Sequence, residues 1–229
     1  MVAVSTTAMQ PESSIVTNSC KSLHAGIWYT YWNIRREGTA ILTTVYFIRH
    51  AESIYTDGNE RERGLTDKGK RDALRVRDLL ADRPIEAVVS SPYRRAIDTV
   101  RPLADALGKP VAIEEHLRER LASGTSFGKD EFMQAKKKLF EQPDFSFPGG
   151  ESSEAAGLRA VRILAGLLRE YEGRTIAIGT HGDIMTLMLN RYDPGFGYPF
   201  WTSLTMPDIY RLEFDREGKL RQTTRLWPE

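Results

Sequence analysis

The chain has 229 residues and a mass of 26.0 kDa, with 41% hydrophobic and 28% charged positions; this length fits one ample domain with a real core better than two lean ones. Lys and Arg total 32 against 31 Asp and Glu, a net charge of +1, which argues against a protein that coats nucleic acid, because that task needs an excess of cations. No apolar run reaches the roughly 18 residues of a bilayer span, and a single cysteine, Cys20, leaves no intrachain disulfide or all-cysteine metal cluster, so the expectation is a soluble cytoplasmic protein with no nucleic-acid or membrane partner.

The first 40 or so residues are rich in Ser and Thr and show no helical or strand period. They lack the Lys/Arg-led apolar stretch of a secretory signal, and the aromatic cluster Trp28, Tyr29, Tyr31 and Trp32 has no evident partner. Residues 1–43 are therefore expected to be a poorly ordered extension ahead of a domain at 44–229.

From residue 44 the pattern becomes regular. Val45 to Arg49 is a β-rich run ending at His50. Thr66 suits an N-cap, with Asp67 in the first turn where the helix dipole favours an anion, and Ala73, Leu74, Val76, Leu79 and Leu80 predict an apolar helical face. Ile85 to Ser90 reads as a second strand. Pro92 suits the first turn of the next helix, whose buried side is Ala96, Val100, Leu103 and Leu107, and Pro102 is expected to bend or split it.

Val111 to Ile113 is a short strand, followed by a loop through Glu119 and a weakly patterned helix over 128–142. PGGESS leads into a long amphipathic helix marked by Leu158, Val161, Leu164, Leu168 and Tyr171. Thr175 to Gly179 is another buried strand, ending at Thr180-His181-Gly182, and Met185 to Leu189 opens a further helix. Residues 208–214 and 220–226 read as a hairpin turning at Glu217-Gly218. Alternating strands and helices predict an α/β class with a mainly parallel sheet edged by an antiparallel hairpin.

In such sheets ligands collect beyond the carboxyl ends of the strands. The side chains that follow the strands are Arg49 and His50, then Arg94 and Arg95, then Glu119, then His181. Each has an ordinary reading as a packed histidine, a solvated arginine or a charged-loop glutamate. Their coincidence at four strand ends is what points to a phosphate site with a nucleophile and an acid. Arg94 can pair with Asp98 four residues on, leaving Arg95, beside core-facing Ala96, to point back across the sheet edge. His116 and Glu119 could share a metal, but no third ligand is evident. GTSFGKD at 124–130 and GFGYPF at 195–200 fail as phosphate loops, and Lys136-Lys137-Lys138 reads as a solvated helix face.

These residues resemble the histidine phosphatase superfamily, the group of phosphoglycerate mutases and acid phosphatases. The likeness lies in Arg49-His50-Ala51-Glu52-Ser53, Gly64-Leu65-Thr66 with Gly69, Ser90-Ser91-Pro92-Tyr93-Arg94-Arg95-Ala96, Leu117-Arg118-Glu119-Arg120, Pro148-Gly149-Gly150-Glu151-Ser152 and Thr180-His181-Gly182. It implies a three-layer α/β/α sandwich of the phosphoglycerate mutase type and a metal-independent, cofactor-free reaction on a small-molecule phosphomonoester. His50 would attack phosphorus and become phosphorylated, Arg49, Arg95 and His181 would hold the phosphoryl oxygens, and Glu119 would act as general acid and then base. The physics agrees, since attack needs a neutral imidazole and flanking guanidiniums disfavour its protonation. Two positions depart from the family pattern: Ala51 stands where Gly is frequent, and Thr56 where many members carry a phosphate-contacting Asn, for which either the Thr56 hydroxyl or Asn59 could substitute.

The glycolytic mutases carry a Ser/Thr-Gly-Trp segment where this chain has Glu60 to Leu65, so a phosphatase is expected. The alternatives are a mutase, a protein-phosphohistidine phosphatase or a catalytically silent phosphoryl-binding module. Phe127, Phe132, Phe140, Phe145 and Phe147 lie in the stretch that helps cover the site in relatives and suggest an apolar or aromatic leaving group. Relatives also begin close to the first strand. Residues 1–41 are therefore read as a mis-annotated upstream translation, with a genuine flexible extension as the alternative, and intact mass of the natively expressed protein separates the two.

Overall fold

The computed structural model describes residues 41–55 and 58–228; the N-terminal extension and Thr56 lie outside them. Its strands are β1 (Thr43–Arg49), β2 (Ile85–Ser90), β3 (Val111–Ile113), β4 (Thr175–Thr180), β5 (Asp208–Phe214) and β6 (Leu220–Arg225). Its helices are α1 (Asp67–Leu80), α2 (Arg94–Ala106), α3 (Lys129–Glu141), α4 (Ser153–Glu170), α5 (Gly182–Asn190) and α6 (Tyr198–Ser203), with a 3-10 turn at Glu115–Leu117.

The strands form one sheet in the order β3-β2-β4-β1-β5-β6. The first four run parallel, and β5 is antiparallel to both of its neighbours. Successive side chains on a strand point to opposite faces, and β1 buries both sets. Val45 and Phe47 pack with Ala156, Ala160 and Leu164 of α4 and with Ile184 and Met188 of α5. Tyr46 and Ile48 pack with Val76 and Leu80 of α1 and with Val100 and Leu103 of α2. The result is the expected three-layer sandwich with an antiparallel edge. Gly182 through Leu189 of α5 are all buried, and apart from Asp183 and Thr186 that segment is apolar on every side.

Thr66 caps α1 as expected, its side chain accepting from Gly69 N. The buried stripe of α1 is Gly69, Ala73, Val76 and Leu80; Leu74 and Leu79 lie off it and are 43% and 42% exposed. Leu158 is likewise 43% exposed, because Ala156, Ala160, Leu164 and Leu168 form the inner face of α4. Pro92 precedes α2 rather than starting it, and Pro102 leaves that helix continuous. One missing N–H is tolerated there because Ala96, Val100 and Leu103 anchor the helix in the core. The hairpin turns at Gly218, whose φ of 73° is the left-handed conformation that glycine adopts freely. Among the described residues, no helix is long and apolar enough to cross a membrane.

Candidate active site

The sheet register assembles the first part of the site. Arg49 of β1 pairs with Thr180 of β4, and Ser90 of β2 pairs with Gly179. The residues just beyond these pairs, His50, His181 and Ser91, therefore emerge side by side. The His50 N–H donates to the Thr180 carbonyl at 2.9 Å, and the Ser91 N–H to the Gly179 carbonyl at 2.9 Å. The two imidazoles meet edge to face, with ring centroids 5.2 Å apart, and His181 Nε2 lies 2.7 Å from Ser91 Oγ.

His50 Nδ1 lies 2.7 Å from the Ala51 carbonyl. A carbonyl only accepts, so Nδ1 carries the proton and Nε2 the lone pair. That lone pair faces Arg95, whose Nε donates to His50 Nε2 at 3.2 Å. Burial, and then the Arg95 charge, hold the His50 pKa well below the usual imidazole range. Burial and Arg95 do the same to His181. The Ala51 methyl group is absorbed by packing with Leu65 and Ala73, and the Ala51 N–H donates to Thr99 Oγ1 at 2.9 Å.

Three guanidiniums converge here, from Arg49, Arg63 and Arg95. Arg95 is buried at the start of α2; burial and the nearby Arg63 charge lower its pKa to about 10. Arg94 points away and pairs with Asp98 at 3.4 Å, as its spacing predicted. Burial also lowers the Arg49 pKa. Nε of Arg49 and Nε of Arg63 are buried without a hydrogen-bond partner among the described residues. Buried donors left unpaired beside desolvated cations are what an anion would satisfy.

Glu119 faces the start of α5. Its Oε2 accepts from Asp183 N at 3.3 Å, and its Oε1 from Ile184 N at 3.2 Å and Arg120 N at 2.9 Å. Burial, and then the Asp183 charge, raise its pKa, outweighing Lys136 and the Arg120 N–H. Gly182 leaves room for Arg49, because a Cβ there would sit 3.2 Å from its guanidinium. Arg159 of α4 holds the loop in front of Glu119, donating through Nη1 to the carbonyls of His116 and Arg118 at 2.5 and 3.0 Å. Its Nε and Nη2 grip Glu151 at 2.7 Å each. Gly150 completes the clamp, since a Cβ there would lie 2.4 Å from the Ala122 carbonyl oxygen.

His50, Arg49, Arg95 and Glu119 line one cavity of about 630 Å³. His181 is fully buried behind His50 and is not part of the cavity wall. The far wall departs from expectation at Lys136. Lys136 is buried rather than solvated: its Nζ donates to Asp183 Oδ2 at 2.6 Å, while Lys137 and Lys138 face outward. A lysine run hides this, because helical rotation sends consecutive side chains in different directions. Of the five phenylalanines, Phe127 and Phe132 line the cavity, together with Tyr93, Trp201 of α6 and Met206. Phe140 lies behind, near Trp201 and over Arg120, and Phe145 and Phe147 pack on each other. Asn59 and His116 are exposed. Among the described residues, no three His, Cys, Asp or Glu side chains group as a metal site.

The family model of the histidine phosphatase superfamily (branch 1) matches residues 45–225. A glucosyl-3-phosphoglycerate phosphatase of Mycolicibacterium vanbaalenii is 37% identical over 76 residues, 31% of this chain and 34% of that protein. An uncharacterized phosphatase of Bacillus subtilis is 26% identical over 183 residues, 77% of this chain and 91% of that one. The chain thus spans about a third of the first relative and most of the second. In structure, the native mycobacterial glucosyl-3-phosphoglycerate phosphatase superposes with a TM-score of 0.65 at 19% identity, over 80% of this chain and 97% of that one.

Proposed function

The chain belongs to the histidine phosphatase superfamily, and on that premise we propose that it hydrolyses phosphomonoesters through a phosphohistidine on His50. The observation that carries this reading is the paired arrangement at one cavity. His50 is buried with its Nδ1 tied to the Ala51 carbonyl and its Nε2 lone pair beside Arg95, and Glu119 lines the same cavity.

In this reading His50 Nε2 attacks phosphorus and the ester P–O bond breaks. Glu119 gives its proton to the departing oxygen. Its raised pKa favours the protonated form that this step needs. The carboxylate left behind then takes a proton from the water that attacks the phosphohistidine, which returns His50 and Glu119 to their starting states. Arg49, Arg63 and Arg95 hold the equatorial oxygens, and their fixed charges stabilise the transition state more than the ground state. His181 supports the array from behind, meeting His50 edge to face and resting on Ser91.

The test is turnover of p-nitrophenyl phosphate at mildly acidic pH, with and without chelator, for the wild type and His50→Ala. A loss of at least about 1,000-fold in His50→Ala, with no effect of the chelator, is expected. Equal rates in the two proteins, or loss of activity on chelation, would overturn the proposal. One relative is named for a phosphoglycerate ester, and whether this chain takes such a substrate turns on the far wall of its cavity.

A further inference from the structure

Beyond its contact with His50, Arg95 turns its two remaining nitrogens to a single residue. Nη1 donates to the Glu60 carbonyl at 2.6 Å, and Nη2 lies 3.4 Å from Glu60 Oε2. The other carboxylate oxygen, Oε1, lies 3.1 Å from Arg63 Nη1. Glu60 thus bridges two of the three guanidiniums that converge beside His50, and it lines the cavity with them. Asp183 bridges Arg120 and Lys136 in the same way. The two carboxylates differ in exposure: the Asp183 side chain is 2% exposed and that of Glu60 48%.

The backbone around Glu60 is held independently of its carboxylate. The Arg94 N–H donates to the Arg61 carbonyl at 2.9 Å and the Arg63 N–H to the Asn59 carbonyl at 3.2 Å. The Arg61 guanidinium grips Glu115 through two bonds of 3.0 and 2.7 Å. The Glu60 carbonyl can therefore keep its bond to Arg95 while the carboxylate alone turns outward. Such a turn takes a half-exposed anion into water, where hydration replaces its ion pairs at little net cost. Asp183 has no such exit, because it would leave two buried cations unpaired.

The next step rests on the proposed phosphoryl transfer to His50. A phosphoryl group in reach of His50 Nε2 also has Arg95 Nε beside it, and its oxygens draw on Arg95 and Arg63. That group and the Glu60 carboxylate are like charges directed at the same two guanidiniums, and at short range in a partly buried site they repel. We propose that Glu60 is a displaceable internal anion of the phosphoryl subsite. It partners Arg63 and Arg95 in the empty site, gives way to the phosphoryl group of the substrate, and returns as inorganic phosphate departs. No covalent bond changes in this exchange; its effect is to weaken retention of the product.

The test is calorimetric titration of inorganic phosphate into the wild type and into Glu60→Gln, which keeps the side-chain size and removes the charge. Glu60→Gln should bind phosphate at least about tenfold more tightly, because the competing charge is gone. A carboxylate that merely props Arg63 and Arg95 in place would give the opposite sign, weaker binding in the variant. A crystal structure of the wild type with inorganic phosphate supplies the second reading, and it decides alone if Glu60→Gln does not fold. In it the Glu60 carboxylate should have left both guanidiniums while its carbonyl still accepts from Arg95 Nη1. Equal or weaker phosphate binding in folded Glu60→Gln, no phosphate binding to either protein, or a phosphate-bound structure in which Glu60 still bridges Arg63 and Arg95 overturns the proposal. Turnover without phosphorylation of His50 would instead overturn the phosphohistidine reading, which these phosphate affinities do not measure.

Discussion

At the His50 end of the cavity, Arg49 and Arg63 keep buried Nε–H groups without partners, whereas at the Asp183 end both cations, Arg120 and Lys136, are tied to one carboxylate. Both ends are buried and rich in charge, yet their cations differ in how they are already paired. The first has the desolvated guanidiniums of Arg49 and Arg95, whose pKa values are lowered by burial, so an arriving anion relieves a cost that folding has left in place. The second has had its anion supplied by the chain: burial opposes ionisation of Asp183, but Lys136 and Arg120 outweigh it and hold its pKa low. Counting cations around a cavity therefore says little about where an anion binds. What matters is how each is already partnered: Arg63 and Arg95 share the half-exposed Glu60, whereas Arg120 and Lys136 share the buried Asp183.

That contrast can be broken from either side. The largest effect is expected from Glu119→Gln, which sits between the two ends. Hydrolysis of an alkyl phosphate should fall by roughly 100- to 10,000-fold. An ester with a good leaving group, such as p-nitrophenyl phosphate, should lose far less, and equal losses on the two esters would refute the general-acid role. The pH profile sharpens the same point. His50 has a lowered pKa and stays neutral, hence nucleophilic, into acid. Glu119 has a raised pKa and stays protonated to higher pH than an ordinary glutamate. Activity should therefore hold on the acidic side and decline as pH rises through the Glu119 pKa, and that alkaline decline should vanish in Glu119→Gln.

Next comes Arg95→Met, at the phosphate end alone. Loss of one preorganised donor to the transferring group should lower kcat by roughly 100- to 1,000-fold, by the same factor whatever the leaving group. A loss that depended on the leaving group would blur the two ends into one. Smaller is Trp201→Ala, at the far end. If the ring contacts an aryl leaving group, its removal should cost about 0.5–1.5 kcal/mol, seen as a rise in KM for an aryl phosphate. Inhibition by inorganic phosphate should not change. Smallest is Arg94→Gln, beside Arg95 in sequence but exposed and paired with Asp98. Stability should move by less than about 0.5 kcal/mol in thermal or denaturant unfolding, and the rate should not change.

The two ends also differ in how far they could be read from the sequence. Arg49, His50 and His181 follow strands whose positions are fixed by β-rich runs, and parallel pairing brings such strand ends together. Arg95 follows from the same logic, since Asp98 claims its neighbour Arg94. The Asp183 end has no such rule. Lys136 stands in the middle of α3, Asp183 begins α5, and Trp201 lies in α6, a helix too short to leave a periodic signal. They meet because three helices pack together, and packing is set by side chains far apart in the chain. Arg63 and Arg159 escaped notice for a related reason: each acts through backbone or electrostatic contacts to a loop, with no local spacing to mark it. On α1 and α4 apolarity alone misleads: Leu74, Leu79 and Leu158 lie off the inner face, which Gly69, Ala156 and Ala160 share with Ala73, Leu80 and Leu164.

The central claim is that phosphorus is transferred to His50. The direct measurement is rapid quenching of the wild-type protein during turnover of a phosphomonoester, followed by peptide mass analysis under conditions that preserve phosphohistidine. The account predicts a single added phosphoryl group on the peptide that contains His50, acid-labile and absent from His50→Ala. A phosphoryl group on another residue, or turnover with no phosphorylated protein at any quench time, would contradict it.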